Sequence, residues 1–142
     1  MASVVVDSSV VIKWLVPEPH SADARRLLND YQAGTLTLLA PDLLHAEIGN
    51  IIWKKHRFQG VSAADAQLIL DSFRALTFTL TSASILLAEA YAIASAHHRT
   101  VYDSLYVALS VREQCHLVTA DQKLIAALGT AFPQVTWVAN WP

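Results

Sequence analysis

Four acidic side chains stand against apolar segments in a chain with only 12 acidic residues among 142. Asp7 closes Val4-Val5-Val6, Glu47 lies among Leu44, Ile48 and Ile51, Asp103 follows Val101-Tyr102, and Asp121 follows Leu117-Val118-Thr119. Two like charges about 4 Å apart repel by about 4 kcal/mol at an effective dielectric of 20, so gathered carboxylates need a cation to stay ionised. Oxygen-only ligands suit Mg²⁺ or Mn²⁺, which bind through one or two carboxylates and keep several waters. Four carboxylates around such ions match in-line phosphoryl displacement, with an activated water and a neutralised phosphate. Hydrolysis of a phosphodiester is the natural reaction.

Three of these acids also have a structural explanation. Asp7, Asp103 and Asp121 each precede or open a helical run, where a carboxylate caps backbone N–H groups or meets the helix dipole. Glu47 differs, because at 100° per residue it projects between Leu43 and Ile51, inside the apolar arc of its helix. The alternative there is a carboxylate at the edge of the stripe, reaching solvent or a basic partner. Lys54, seven residues after Glu47, falls on nearly the same face about 10 Å farther along. With Lys55 and Arg57 it is a candidate phosphate contact, or one of several basic residues at a helix C-terminus.

Other chemistries find less support. Cys115 is the only cysteine, and adjacent His97-His98 cannot form an i, i+4 ligand pair, which disfavours zinc. His45 and His116 are expected to serve locally. Gly34, Gly49, Gly60 and Gly129 form neither a dinucleotide fingerprint nor a P-loop, and no Gly-x-Ser-x-Gly elbow occurs.

The elements that must position the acids read as alternating strands and helices. Val4 to Val6 is a β-branched strand, followed by a helical pattern from Val10 to Val16 halted at Pro17. Ser21 to Ala33 is helical, Leu36 to Leu39 a strand, and Pro41-Asp42 opens a helix reaching about Phe58. Ser62-Ala-Ala-Asp65 resembles a capping box for a helix to about Ala75. Phe78 to Leu80 is a weak strand; Ile85 to His97 and Asp103 to Gln114 are helices; His116 to Thr119 is a strand. A helix from Gln122 to Leu128 and a strand from Val135 to Val138 complete the chain. The expectation is a single domain over residues 1–142, of α/β class, with three α/β/α layers and a mainly parallel central sheet.

Composition bounds the function further. A 54% hydrophobic content with 15% charged residues excludes disorder and supplies a core. Mean hydropathy of +0.35 implies more apolar surface than one small core hides, so a homodimer is expected. No apolar run reaches the 18 or so residues of a membrane span, and no basic leader opens the chain. With Cys115 alone, a reducing cytoplasm is the expected compartment. The net charge of −2 leaves nucleic-acid contact to a local patch or to metal ions.

Taken in order, these segments resemble the PIN domain, particularly VapC-like toxin ribonucleases of bacterial and archaeal toxin-antitoxin pairs, over nearly the whole chain. Val5-Val6-Asp7-Ser8-Ser9-Val10-Val11 is similar to the family's first motif, with Ile12-Lys13-Trp14-Leu15 and Pro17-Glu18-Pro19 continuing it. Glu47-Ile48-Gly49-Asn50 resembles the second motif, Tyr102-Asp103-Ser104-Leu105-Tyr106-Val107-Ala108-Leu109 the third, and Leu117-Val118-Thr119-Ala120-Asp121 the fourth. The resemblance implies that Asp7, Glu47, Asp103 and Asp121 hold Mg²⁺ or Mn²⁺, with Asp7 and Asp103 as direct ligands and Glu47 and Asp121 completing the shell. Ser9 and Thr119 would orient carboxylates or waters. It further implies an RNA substrate, water as nucleophile, a homodimer, and a cognate antitoxin whose C-terminal segment blocks the site. One departure is Ser104, where many relatives carry a small apolar residue.

Two other readings compete. One is a catalytically weak PIN-like module that binds RNA or protein, distinguished by failure to bind Mn²⁺. The other is an aspartyl-nucleophile phosphatase, opposed by Ser9 standing where such enzymes usually need a second acid.

Overall fold

A computed structural model describes residues 2–142. Five strands, β1 (Ala2–Val6), β2 (Leu36–Pro41), β3 (Thr79–Thr81), β4 (Leu117–Thr119) and β5 (Val135–Trp137), form one sheet in the order β3-β2-β1-β4-β5. Every pairing is parallel, with Val5 opposite both Leu39 and Leu117, and Val6 opposite Val118. Seven helices connect them: α1 (Ser8–Leu15), α2 (Ser21–Gln32), α3 (Leu43–Phe58), α4 (Ala63–Arg74), α5 (Ala83–His97), α6 (Val101–Glu113) and α7 (Gln122–Leu128).

The period-two geometry of the strands divides the core between the two faces. Val4, Val6, Leu38, Ala40 and Val118 pack under residues of α1 to α4, whereas Val5, Leu39, Leu117 and Val135 pack under residues of α5 to α7. Covered on both sides, the inner strands β1, β2 and β4 carry their apolar residues in runs, as expected of a parallel sheet in three layers, whereas the edge strand β3 is largely exposed. Helix α6 is the extreme case, with Ser104 to Ser110 all buried. The Ser104 hydroxyl donates to the Thr100 carbonyl at 2.8 Å, so the departure noted in the third motif is satisfied within the helix.

Several boundaries differ from the sequence expectation for identifiable reasons. β2 continues through Pro41, and Asp42 does not cap α3 with its side chain. Its Oδ1 instead accepts the Ala83 N–H at 3.0 Å, meeting a free donor at the start of α5. β3 begins at Thr79 because Phe78 packs against Phe73 and His45. α6 begins two residues earlier than Asp103: Thr100 is the cap, its Oγ1 accepting the Asp103 N–H at 3.1 Å, which makes Asp103 a first-turn residue. Ser62 does cap α4, accepting the Asp65 N–H at 3.0 Å. Val138 leaves β5 to enter a terminal 3₁₀ turn, Val138–Asn140.

Strand order reverses at β1: the chain steps from β1 to β2 and β3 on one side, then returns to place β4 and β5 on the other. In open parallel sheets the loops beyond the carboxyl ends of the strands diverge at such a point and leave a crevice. Asp7 directly follows β1, and Asp121 lies two residues beyond β4.

Candidate active site at the β1/β4 crevice

Asp7 is 7% exposed and caps α1, its Oδ1 accepting the Val10 N–H at 3.3 Å. The cap explanation is therefore correct but accounts for only part of the side chain. Ser9 Oγ donates to Oδ1 and Thr119 Oγ1 donates to Oδ2, both at 2.5 Å. Each hydroxyl is itself fixed by a backbone donor: Ala120 N–H reaches Ser9 Oγ across the crevice at 2.9 Å, and Asp121 N–H meets Thr119 Oγ1 within its own loop at 3.0 Å. Burial pushes the Asp7 carboxyl up to about 6; the bonds from Ser9, Thr119 and Val10 oppose that rise, and the Glu47 charge adds to it.

Glu47, half-buried on α3, is reached from the other side of the sheet. Tyr106 of α6 donates its phenolic hydrogen to Glu47 Oε1 in a very short hydrogen bond. Burial raises the Glu47 pKa, the Tyr106 bond lowers it, and the Asp103 charge raises it. The Tyr106 hydroxyl is itself driven upward by burial and then by the Glu47, Asp7 and Asp103 charges. Three of the four acids thus share one electrostatic environment.

Asp121 caps α7, its Oδ1 accepting from Lys123 N–H at 2.9 Å and Leu124 N–H at 3.3 Å. Its Oδ2 lies 3.6 Å from Arg99 Nη2, and the same nitrogen is 2.9 Å from Asp103 Oδ2. Arg99 therefore ties the third and fourth acids together. Among the described residues, no three of His, Cys, Asp and Glu stand close enough to share an ion. The donor chemistry nonetheless fits a hard divalent cation: the candidate ligands are carboxylates, and Asp7 and Glu47 are pushed toward the neutral form by burial and by a neighbouring carboxylate, which a bound cation would oppose.

Lys54 is exposed, and among the described residues it joins no ion pair. Its expected companions are engaged: Lys55 pairs with Glu18 at 3.3 Å beside Lys13, and Arg57 lies over the Phe58 ring. The histidines stay out of the acid cluster: His45 packs on Phe73, His97 on Phe132, and His116 is 3.0 Å from Thr136 Oγ1. Two open depressions flank the acids. One, about 690 Å³, is lined by Ser9, Lys13, His20, Asp121, Lys123 and Trp137 among others; the second, about 230 Å³, is lined by Leu43, Ala46, Glu47, Asn50 and Tyr102. A 470 Å³ cavity beside Cys115, His116 and Gln134 lies at the amino ends of β4 and β5 and contains none of the four acids.

Sequence reasoning missed Arg99 and Tyr106 as members of this site. Tyr106 had a signal, since it lies three residues after Asp103 on α6, a spacing that places both side chains on one helical face, whereas Arg99 precedes the helix cap and had only nearness in sequence.

A mainly parallel α/β/α sheet with acids at its switch point defines a class, and the relatives give it a family. The PIN domain pattern matches residues 4–128. Ribonuclease VapC3 of Pyrobaculum aerophilum is 35% identical over 123 residues, 84% of this chain and 90% of that protein. The chain belongs to the PIN domain family, on its VapC-like side. Solved structures agree on the fold. The PAE2754 protein of Pyrobaculum aerophilum superposes with a TM-score of 0.64 at 23% identity, covering 97% of this chain and 92% of that one. VapC20 of Mycobacterium tuberculosis, described as a sarcin-ricin loop cleaving toxin, gives 0.64 at 12% identity over 93% and 98%. VapBC2 of Rickettsia felis, solved with a promoter DNA fragment, gives 0.61 at 14% identity over 95% and 96%.

Proposed function

We propose that this chain is a divalent-metal-dependent endoribonuclease, the toxin of a toxin-antitoxin pair, acting through Asp7, Glu47, Asp103 and Asp121. The observation that carries the reading is Asp7 itself: a buried carboxylate gripped by two hydroxyls at the sheet's switch point, with a second carboxylate near enough to raise its pKa. The naming of the 35% identical relative as a ribonuclease supports RNA as the substrate.

In this reading Asp7 and Asp103 would hold Mg²⁺ or Mn²⁺, and Glu47 and Asp121 would complete its surroundings. Such an ion would supply an activated water and neutralise charge on the scissile phosphate. Ser9 and Thr119 fix the plane of the Asp7 carboxylate. Tyr106 occupies Glu47 Oε1, leaving Oε2 to accept a proton from the attacking water. Lys54, two helical turns from Glu47, holds a neighbouring phosphate of the strand.

The chain acts as a homodimer in this account, supported by the exposed Leu87 and Tyr91, which form one apolar stripe on α5 at i, i+4 spacing. The antitoxin partner is supported by the VapBC2 neighbour and by an apolar depression of about 260 Å³ between α3 and α4, lined by Ile52, Trp53, Ala66 and Leu70 among others. No helix among the described residues is long and apolar enough to cross a membrane, and Cys115 is free, in keeping with a cytoplasmic setting.

The test is expression without the partner. The wild-type chain should arrest growth and degrade RNA, and Asp7→Asn should relieve both. Undiminished cleavage by that variant would overturn the mechanism. The competing reading, a weak module that binds without cutting, draws on the absence of a ready three-acid cluster among the described residues and predicts no Mn²⁺ binding.

A further inference from the structure

Two of the four acids already have a cation beside them. Of the basic side chains among the described residues, Arg99 is the one that pairs with members of the quartet, reaching Asp103 and Asp121 with a single nitrogen, Nη2. Its place is set by the turn between α5 and α6, where His98 adopts a left-handed conformation at φ 55 and Thr100 caps the next helix. The side chain is 20% exposed, and its Nε is buried with no hydrogen-bond partner. Buried polar atoms are rarely left in that state, so this arrangement leaves part of the guanidinium's bonding capacity unused. A guanidinium also cannot shed its charge as an amine or imidazole can. Any ion entering beside Asp103 and Asp121 must therefore displace this charge or share the carboxylates with it.

We propose that Arg99 is a resident counter-cation that competes with the divalent ion for Asp103 and Asp121, so that loading the site requires the guanidinium to give up at least one of them. The inference rests on the metal-dependent reading above and adds a positioning residue to it. Arg99 holds the two carboxylates close together before the ion arrives, and it raises the ion concentration needed to fill the site. The effect is reciprocal: the factor by which the Arg99 pairing weakens ion binding is the factor by which a bound ion weakens the pairing.

Calorimetric titration with Mn²⁺ of the full chain, its Arg99→Gln variant and its Arg99→Lys variant tests this directly. Arg99→Gln should bind about tenfold more tightly than wild type, and Arg99→Lys, which keeps the charge, should stay near wild type. Melting in chelator should show Arg99→Gln less stable than wild type, with a larger gain on adding Mn²⁺. A merely structural arginine would lower stability equally with and without the ion. Unchanged or weaker Mn²⁺ binding by Arg99→Gln overturns the inference. If that variant does not fold, the Arg99 Nε–H resonance of the wild-type chain serves instead. It should move during a Mg²⁺ titration, and a resonance that does not move refutes the competition. Mn²⁺ binding by wild type and variant alike sinks only this inference, whereas no binding by either sinks the metal-dependent reading with it.

Discussion

Replacing Asp7 with Asn should make the metal-free protein more stable at neutral pH while destroying its activity. The carboxyl is 7% exposed, and its pKa is raised from 3.8 to about 6, chiefly by burial. Because the folded state holds the proton more tightly than the unfolded chain, the group favours folding below pH 3.8. That contribution disappears as pH rises through about 6. At 1.36 kcal/mol per unit, ionised Asp7 lowers stability by about 3 kcal/mol above that window. Asn carries no charge at any pH and keeps an acceptor for Ser9 and Val10, but its amide nitrogen faces Thr119 Oγ1, so that bond reverses and the Thr119 hydroxyl hydrogen loses its acceptor. That loss costs about 1 kcal/mol, which leaves a net gain of ~2 kcal/mol at pH 7.5 and a net loss of up to ~1 kcal/mol near pH 4. For a chain of this length the gain corresponds to a rise in Tm of roughly 4–8 °C. Urea unfolding in chelator across pH 4 to 8 measures the difference, which should change sign inside the titration window. A variant destabilised by the same amount at both ends would refute the claim that burial raises this carboxyl.

Three further outcomes follow from the geometry. Tyr106→Phe removes the donor that holds Glu47 down, so the acidic limb of the pH–rate profile should move upward, and Mn²⁺ affinity should fall roughly 10–100-fold. Lys54→Ala should weaken RNA binding across sequences and reduce the slope of log affinity against log salt by about 0.7, read by fluorescence titration; an unchanged slope removes Lys54 from the interface. If the chain dimerises through α5 as proposed, Tyr91→Glu, which places a charge on the exposed stripe, should sediment as a monomer where wild type sediments as a dimer, without loss of helical signal.

The layer architecture was readable because the strands carry it in their composition. Val4-Val5-Val6 followed by Asp7, and Leu117-Val118 followed by Thr119, are short apolar runs closed by a polar residue, which is the pattern of a parallel strand buried on both faces and opening into a loop. Glu47 could be singled out for a related reason, since nothing local explains a carboxylate inside a helix's apolar arc. Less visible were features decided by contacts between distant segments. Nothing near Asp42 says that it serves the start of α5 instead of its own helix, because Ala83 reaches it only through the β2–β3 pairing. Tyr106 carries helical spacing to Asp103 and Arg99 lies just before the same helix, yet position in sequence alone does not say that Arg99 bridges to Asp121 and Tyr106 crosses to Glu47. The α6 segment shows no amphipathic pattern because it is buried on nearly all sides, which hides the face it turns toward the acids.

The account stands most directly on the metal requirement of RNA cleavage by the purified chain. RNA should stay intact in chelator and be cut when Mn²⁺ or Mg²⁺ is restored, and Asp7→Asn, Glu47→Gln, Asp103→Asn and Asp121→Asn should each lose that restored cleavage. Cleavage that continues in chelator, or that survives all four substitutions, would contradict it.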